Sequence, residues 1–179
     1  GCGKSTIASI LTGRNKGYDG SVKIGNDELN TIQEASLMRH VTYISHQAHL
    51  FKGTVRDNLR MGRADATDEL LWDVLNRVNL AEFLRTEKGL DTALNERGSN
   101  LSGGQLQRIA FARGLIKQPK VFLLDEVSSN LDEKTTIEVL KPILEDKNVT
   151  VLWVTHHLPE ALKETIDQTI QMSELNHVN

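Results

Sequence analysis

The sequence predicts an α/β domain: a largely parallel sheet flanked by helices, with a helical subdomain inserted into it. Three observations carry this. Strand-like and helix-like stretches alternate along the chain, the order from which parallel sheets with crossover helices are built. Residues 121–124 (Val-Phe-Leu-Leu) are apolar without interruption, as a strand covered on both faces must be. Residues 54–116 contain no strand candidate of any strength, so the helices there form a unit of their own. The expected division of this one 179-residue domain is a sheet core over about residues 1–53 and 117–179 and a helical subdomain over about 54–116.

In chain order, residues 4–11 read as a helix opened by the glycines before it. Residues 21–24 read as a strand running into the turn Gly25-Asn26-Asp27, since Gly and Asn are strong breakers. A short helix over 34–40 and a buried strand over 41–45 come next. Leu70, Leu71, Val74, Leu75 and Val78 recur at helical spacing among polar neighbours, which marks an amphipathic helix. Residues 80–84 start another short one. Ile109, Ala112 and Ile116, at i, i+3 and i+7, give the helix after Gly104 one apolar face. Residues 133–144 are helical, with Pro142 expected to kink the helix or end it early, because proline lacks an N–H and clashes with the preceding turn. A second buried strand is expected over 149–154 and a weaker final one over 168–172.

Bulk composition narrows the partners. Lys plus Arg is 21 and Asp plus Glu is 24, a net charge of −3, so no basic face for nucleic acid is expected. The single cysteine, Cys2, rules out an internal disulfide and suits a reducing compartment. The longest apolar runs, such as 149–154, are far too short to cross a bilayer. No signal peptide is visible. Work at a membrane would therefore require docking on another segment. The chain has no initiator Met and its first residue falls inside a motif, so a piece upstream is expected.

Gly1-Cys2-Gly3-Lys4-Ser5 matches the latter part of a phosphate-binding loop, whose leading Gly would lie three residues before Gly1. Glycines let backbone N–H groups face an anion, and the helix after them adds its positive end. Lys4 would hold β- and γ-phosphates and Ser5 would offer its hydroxyl to Mg2+. Asp125-Glu126 ends the apolar strand, at the strand ends where ligands bind in such sheets. Asp125 would orient the Mg2+ shell and Glu126 would act as general base on the attacking water. Leu101-Ser102-Gly103-Gly104-Gln105 puts small residues and free N–H groups at another helix start, a second anion site. Within a monomer the two sites can hardly share one nucleotide, so two copies facing head to tail are the natural solution.

Taken together, Gly1-Cys2-Gly3-Lys4-Ser5-Thr6, Leu101–Gln105 and Leu123-Leu124-Asp125-Glu126 resemble the nucleotide-binding domain of ABC transporters, a P-loop NTPase-like fold. The resemblance implies ATP and Mg2+ as ligands and ATP hydrolysis as the activity. It implies that Gly1, Cys2, Gly3, Lys4, Ser5 and Thr6 bind nucleotide, Cys2 through its N–H. It further implies that Ser102, Gly103, Gly104 and Gln105 close over the γ-phosphate of a second nucleotide-binding domain. Gln47 resembles the Q-loop glutamine that touches Mg2+, and His156 the switch histidine, with His157 as its rival. Ser129-Asn130-Leu131-Asp132 resembles the D-loop, with Asn130 where the family often has Ala; Asp132 also suits a helix N-cap. Residues 47–59 and Glu96-Arg97-Gly98 resemble exporter segments that meet transmembrane domains, which would place the domain at the cytoplasmic face of the cell membrane.

The resemblance does not supply the front of the domain, including the aromatic residue that stacks on adenine. The chain as given is therefore expected to bind ATP poorly. The other readings are an importer-type or soluble ABC ATPase and an inactive fragment. DNA-repair relatives are excluded, because no heptad run lies between Gln47 and Leu101 to build their coiled coil.

Overall fold

The computed structural model describes residues 3–172. Helix α1 (Lys4–Leu11) begins directly after Gly3. Next is a hairpin of two-residue strands, β1 (Lys23–Ile24) pairing antiparallel with β2 (Asp27–Glu28). The strand expected over 21–24 is thus only its second half, and Asp27 lies in a strand, not a turn. Glycines at 17 and 20 break the chain immediately before it.

Helix α2 (Glu34–His40) passes without a linker into β3 (Val41–Ser45). After it come β4 (Gly53–Thr54), α3 (Val55–Arg60), α4 (Asp68–Arg77), α5 (Ala81–Thr86) and β5 (Ala93–Leu94). β4 and β5 pair antiparallel inside the stretch read as free of strands; a two-residue pairing leaves no periodicity to read. The chain then alternates through α6 (Gly103–Leu115), β6 (Val121–Asp125), α7 (Glu133–Leu144) and β7 (Thr150–Val154). Pro142 lies inside α7 two residues from its end, near enough to the terminus that the helix still runs to Leu144. The strand expected over 168–172 does not form.

Strands β3, β6 and β7 make one parallel sheet in the order β3-β6-β7. Alternate residues of β6 feed two cores, as period-two side chains must. Phe122 and Leu124 join the cluster that holds Ile109, Phe111, Ala112 and Ile116 of the α6 segment and Val139, Leu140 and Ile143 of α7. Leu123 packs on the opposite face with Leu29, Leu37 and Val41. α6 lies so close to β3 that a Cβ on Gly114 would come within 2.7 Å of Ile44 Cδ1.

Side-chain caps fix several helix starts. Thr54 and Asp57 form a capping box on α3, Thr67 caps α4, and Ser102 and Gln105 form a second box on α6. Asp132 caps α7 through the Thr135 N–H. α1 has no side-chain cap; Gly3 stands at its N-cap with φ of +89°, a left-handed backbone that glycine takes without strain.

Candidate active site

The parallel register sets Ser45, Asp125 and Val154 level at the carboxyl ends of β3, β6 and β7. The loops leaving these strands therefore share one rim of the sheet. Helix α1, which packs on β6, adds Lys4 to that rim. Lys4 Nζ lies 3.9 Å from Glu126 Oε1 and 3.0 Å from His156 Nε2. His156 Nε2 lies 2.8 Å from Glu126 Oε1. One ring nitrogen cannot accept and donate at once, so Nε2 either donates to Glu126 or accepts from Lys4, according to the tautomer. The rival histidine goes elsewhere: His157 Nε2 is 3.3 Å from Glu133. Glu126 and His156 also border a hollow of about 190 Å3.

Glu126 is held in a strained turn. Its φ is +51°, a region costing a non-glycine residue roughly 1–2 kcal/mol. The surroundings enforce it: the Glu126 N–H donates to the Val154 carbonyl at 2.9 Å, and the Glu126 carbonyl accepts from Ser129 at 3.1 Å. Such outliers cluster at functional sites.

Asp125 has a partner that motif reading overlooked. The Tyr43 hydroxyl donates to Asp125 Oδ2 at 2.9 Å, and the Arg14 guanidinium lies over the Tyr43 ring, 5.6 Å from its centroid. Burial, and after it the bond to Asp125, pushes the Tyr43 phenol up to about 12, so it remains a donor at neutral pH. The signal in the sequence was faint: a polar tip on a buried strand whose neighbour ends in an acid.

The start of α1 can receive an anion. The first amide to bond back into the helix is that of Ile7, to the Gly3 carbonyl at 3.0 Å, which leaves the N–H groups of Lys4, Ser5 and Thr6 outside the ladder. Ser5 and Thr6 are exposed; Gly1 and Cys2 lie outside the described residues. Among the described residues no group of three or more His, Cys, Asp or Glu could hold a metal ion. Asp125 and the Ser5 hydroxyl remain, a sparse oxygen set of the kind Mg2+ uses when substrate phosphates complete its shell.

The Ser102–Gln105 tip is built differently. Ser102 Oγ accepts from the Gln105 N–H at 3.2 Å and Gln105 Oε1 accepts from the Ser102 N–H at 2.9 Å. Gly104 abuts the turn before α7, where an added Cβ would stand 3.1 Å from the Asn130 carbonyl oxygen. α6 packs against α3, α4 and β3, and no hydrogen bond or ion pair among the described residues joins this tip to Lys4, Asp125, Glu126 or His156. The fold thus assembles one cluster at the strand ends, and none of its described hydrogen bonds or ion pairs includes the Ser-Gly-Gly tip. Asp132 is occupied in capping: it accepts from the Thr135 N–H at 2.9 Å and hydroxyl at 2.7 Å.

Gln47 is exposed and lines a groove of about 510 Å3 beside β3 and α6, with Arg14, His49, Phe51, Met61 and Arg113. Its carbonyl accepts from Ser45 Oγ at 3.2 Å and from the His49 ring at 2.9 Å. No described hydrogen bond links its side chain to Asp125 or Lys4. Three further residues shape this loop. Fully buried Gln107 donates to the Ser45 carbonyl at 3.1 Å, Arg113 to the His49 carbonyl at 2.9 Å, and Asn130 to the His46 carbonyl at 3.3 Å.

A family model described as "ABC transporter" matches residues 1–129. The chain is 38% identical over 176 residues to a Haemophilus influenzae "uncharacterized ABC transporter ATP-binding protein", covering 98% of this chain and 31% of that protein. It is 37% identical over 159 residues to the Escherichia coli "glutathione/L-cysteine transport system ATP-binding/permease protein CydC", covering 88% and 28% respectively. Among solved structures, a bacterial Atm1-family ABC exporter with ATP bound superposes with a TM-score of 0.82 at 29% identity, over 87% of this chain and 28% of that one. The chain spans less than a third of the length of the curated relatives it matches. Among the described residues no helix is long and apolar enough to cross a membrane.

Proposed function

Because the chain belongs to the ABC transporter family, as an ATP-binding domain with the P-loop NTPase fold, we propose that it is the ATP-hydrolysing part of an exporter. The observation that carries this is the meeting of Lys4, Glu126 and His156 within 3.9 Å at the strand ends. Lys4 and the free amides of α1 bind the β- and γ-phosphates of ATP. Ser5, Asp125 and Gln47 are the residues that would hold Mg2+. Mg2+ neutralises charge on the phosphate oxygens.

Glu126 takes the proton of the water that attacks the γ-phosphorus, and the bond to the β–γ bridging oxygen breaks to release ADP. His156 contacts the γ-phosphate and braces Glu126. The Ser102–Gln105 tip, which makes no described hydrogen bond to its own cluster, caps the nucleotide of a second cassette in a head-to-tail dimer. Asp132 helps seat that neighbour. The sheet core over about residues 1–53 and 117–179 carries the nucleotide, and the helical subdomain between them carries the cap.

Transmembrane domains supplied by the rest of a longer polypeptide, or by a partner, dock against the groove beside Gln47, on the cytoplasmic face of the membrane. Relatives more than three times as long as this chain, one of them named as an ATP-binding/permease protein, support that arrangement. Closure of the dimer on ATP shifts the transmembrane partner between two states, which requires that ATP favour the closed form.

The full-length protein carrying Glu126→Gln should bind ATP with Mg2+, remain a dimer and lose at least about 100-fold in turnover, the contribution of a general base. Lys4→Ala should weaken binding itself. Hydrolysis at the wild-type rate by the Glu126→Gln variant would remove Glu126 from its role.

A further inference from the structure

We propose that Tyr43 is a positioning residue for Asp125, pinning one carboxylate oxygen so that the other is presented to the metal side of the ATP site. The inference rests on the ATPase reading and adds a residue that no motif in the chain marks.

The geometry runs through two strands. Tyr43 stands level with Leu123 across the β3–β6 pair, so its side chain shares a face with Asp125 two residues further on. Its hydroxyl reaches Asp125 Oδ2 at 2.9 Å. Among the described residues this is the sole side-chain hydrogen bond or ion pair that Asp125 makes. Oδ1 is left with no side-chain partner, while Oδ2 is fixed.

The ring itself is braced. Arg14 covers one face of it at 5.6 Å, and the apolar cluster of Leu29, Leu37, Val41 and Leu123 packs around it. A carboxylate on a strand end otherwise turns freely about its terminal torsion, which is broad. A rigid phenol removes that freedom, as outer-shell partners of metal ligands do.

The test is Tyr43→Phe in the full-length protein, since phenylalanine fills the same space and lacks only the hydroxyl. Binding of a fluorescent ATP analogue is titrated in EDTA and in Mg2+, and Mn2+ uptake by the nucleotide-bound protein is followed by paramagnetic resonance. Affinity in EDTA should match wild type within about twofold. In Mg2+ it should fall on the order of tenfold, and the Mn2+ half-saturation point should rise by a similar factor. Equal losses in EDTA and Mg2+ would mean the hydroxyl matters only to the fold, and an unchanged Mg2+ response would mean it does not matter; either overturns the inference.

A second comparison separates the orienting of Asp125 from a general effect on the fold. In an Asp125→Asn background the phenol has no carboxylate to orient, so adding Tyr43→Phe should change Mn2+ uptake by less than about twofold, the two losses being non-additive. A further tenfold loss there overturns the proposal as well. If wild type gains no nucleotide affinity from Mg2+ at all, the ATPase reading itself fails and takes this inference with it.

Discussion

Asp132 shows how a motif residue can be claimed by local structure. It caps α7, and its carboxyl is held below its ordinary value of 3.8, chiefly because the Thr135 N–H bonds the charged form. A group whose folded value is depressed contributes stability above 3.8 and loses it as pH falls through the lower folded value. Wild-type resistance to urea should therefore decline between about pH 5 and about pH 3, and Asp132→Asn, which caps without titrating, should decline less. Parallel pH profiles for the two proteins would show that the cap charge is immaterial. Residue identities at the rim were legible because Lys4, Glu126 and His156 each fit a recognisable pattern, and each is found there. Tyr43 was not. Its role depends on the pairing of β3 with β6, and pairing is a property of the folded chain rather than of any local run.

At the scale of elements, the seat of α6 on β3 fixes how closely the helix approaches the sheet. A Cβ at position 114 would meet Ile44 Cδ1 at 2.7 Å and Thr42 Cγ2 at 3.2 Å. Gly114→Val should cost about 1–3 kcal/mol through overpacking, seen as a lower thermal midpoint; an unchanged midpoint would mean that the two elements slide apart freely. The bounds read for α2 and β3 hold to the residue, although the two elements abut. Periodicity failed on β4 and β5, two residues each, too short to show any period. It also proposed a strand over 168–172, where a few apolar residues lie near the described end without a sheet neighbour. The Pro142 expectation failed for a plainer reason: a break so close to a helix terminus removes little.

For the whole molecule, the proposed head-to-tail arrangement predicts that a working site needs two chains. A full-length Lys4→Ala protein and a full-length Ser102→Arg protein, each unable to trap ATP alone, should recover trapping when co-assembled, because one of the two shared sites then holds neither substitution. Filter-binding of nucleotide by the mixed dimer reads this directly; no recovery would put both halves of each site in one chain. The groove along β3 was not legible in the sequence, since it exists only where α6, the Gln47 loop and Arg14 come together.

The left-handed turn at Glu126 has a wider meaning. A glycine there would rest more comfortably, yet under the proposed mechanism it would offer no base. Heat tolerance and turnover therefore pull this position in opposite directions, and variants selected only for hardiness should drift toward cassettes that hold ATP without consuming it.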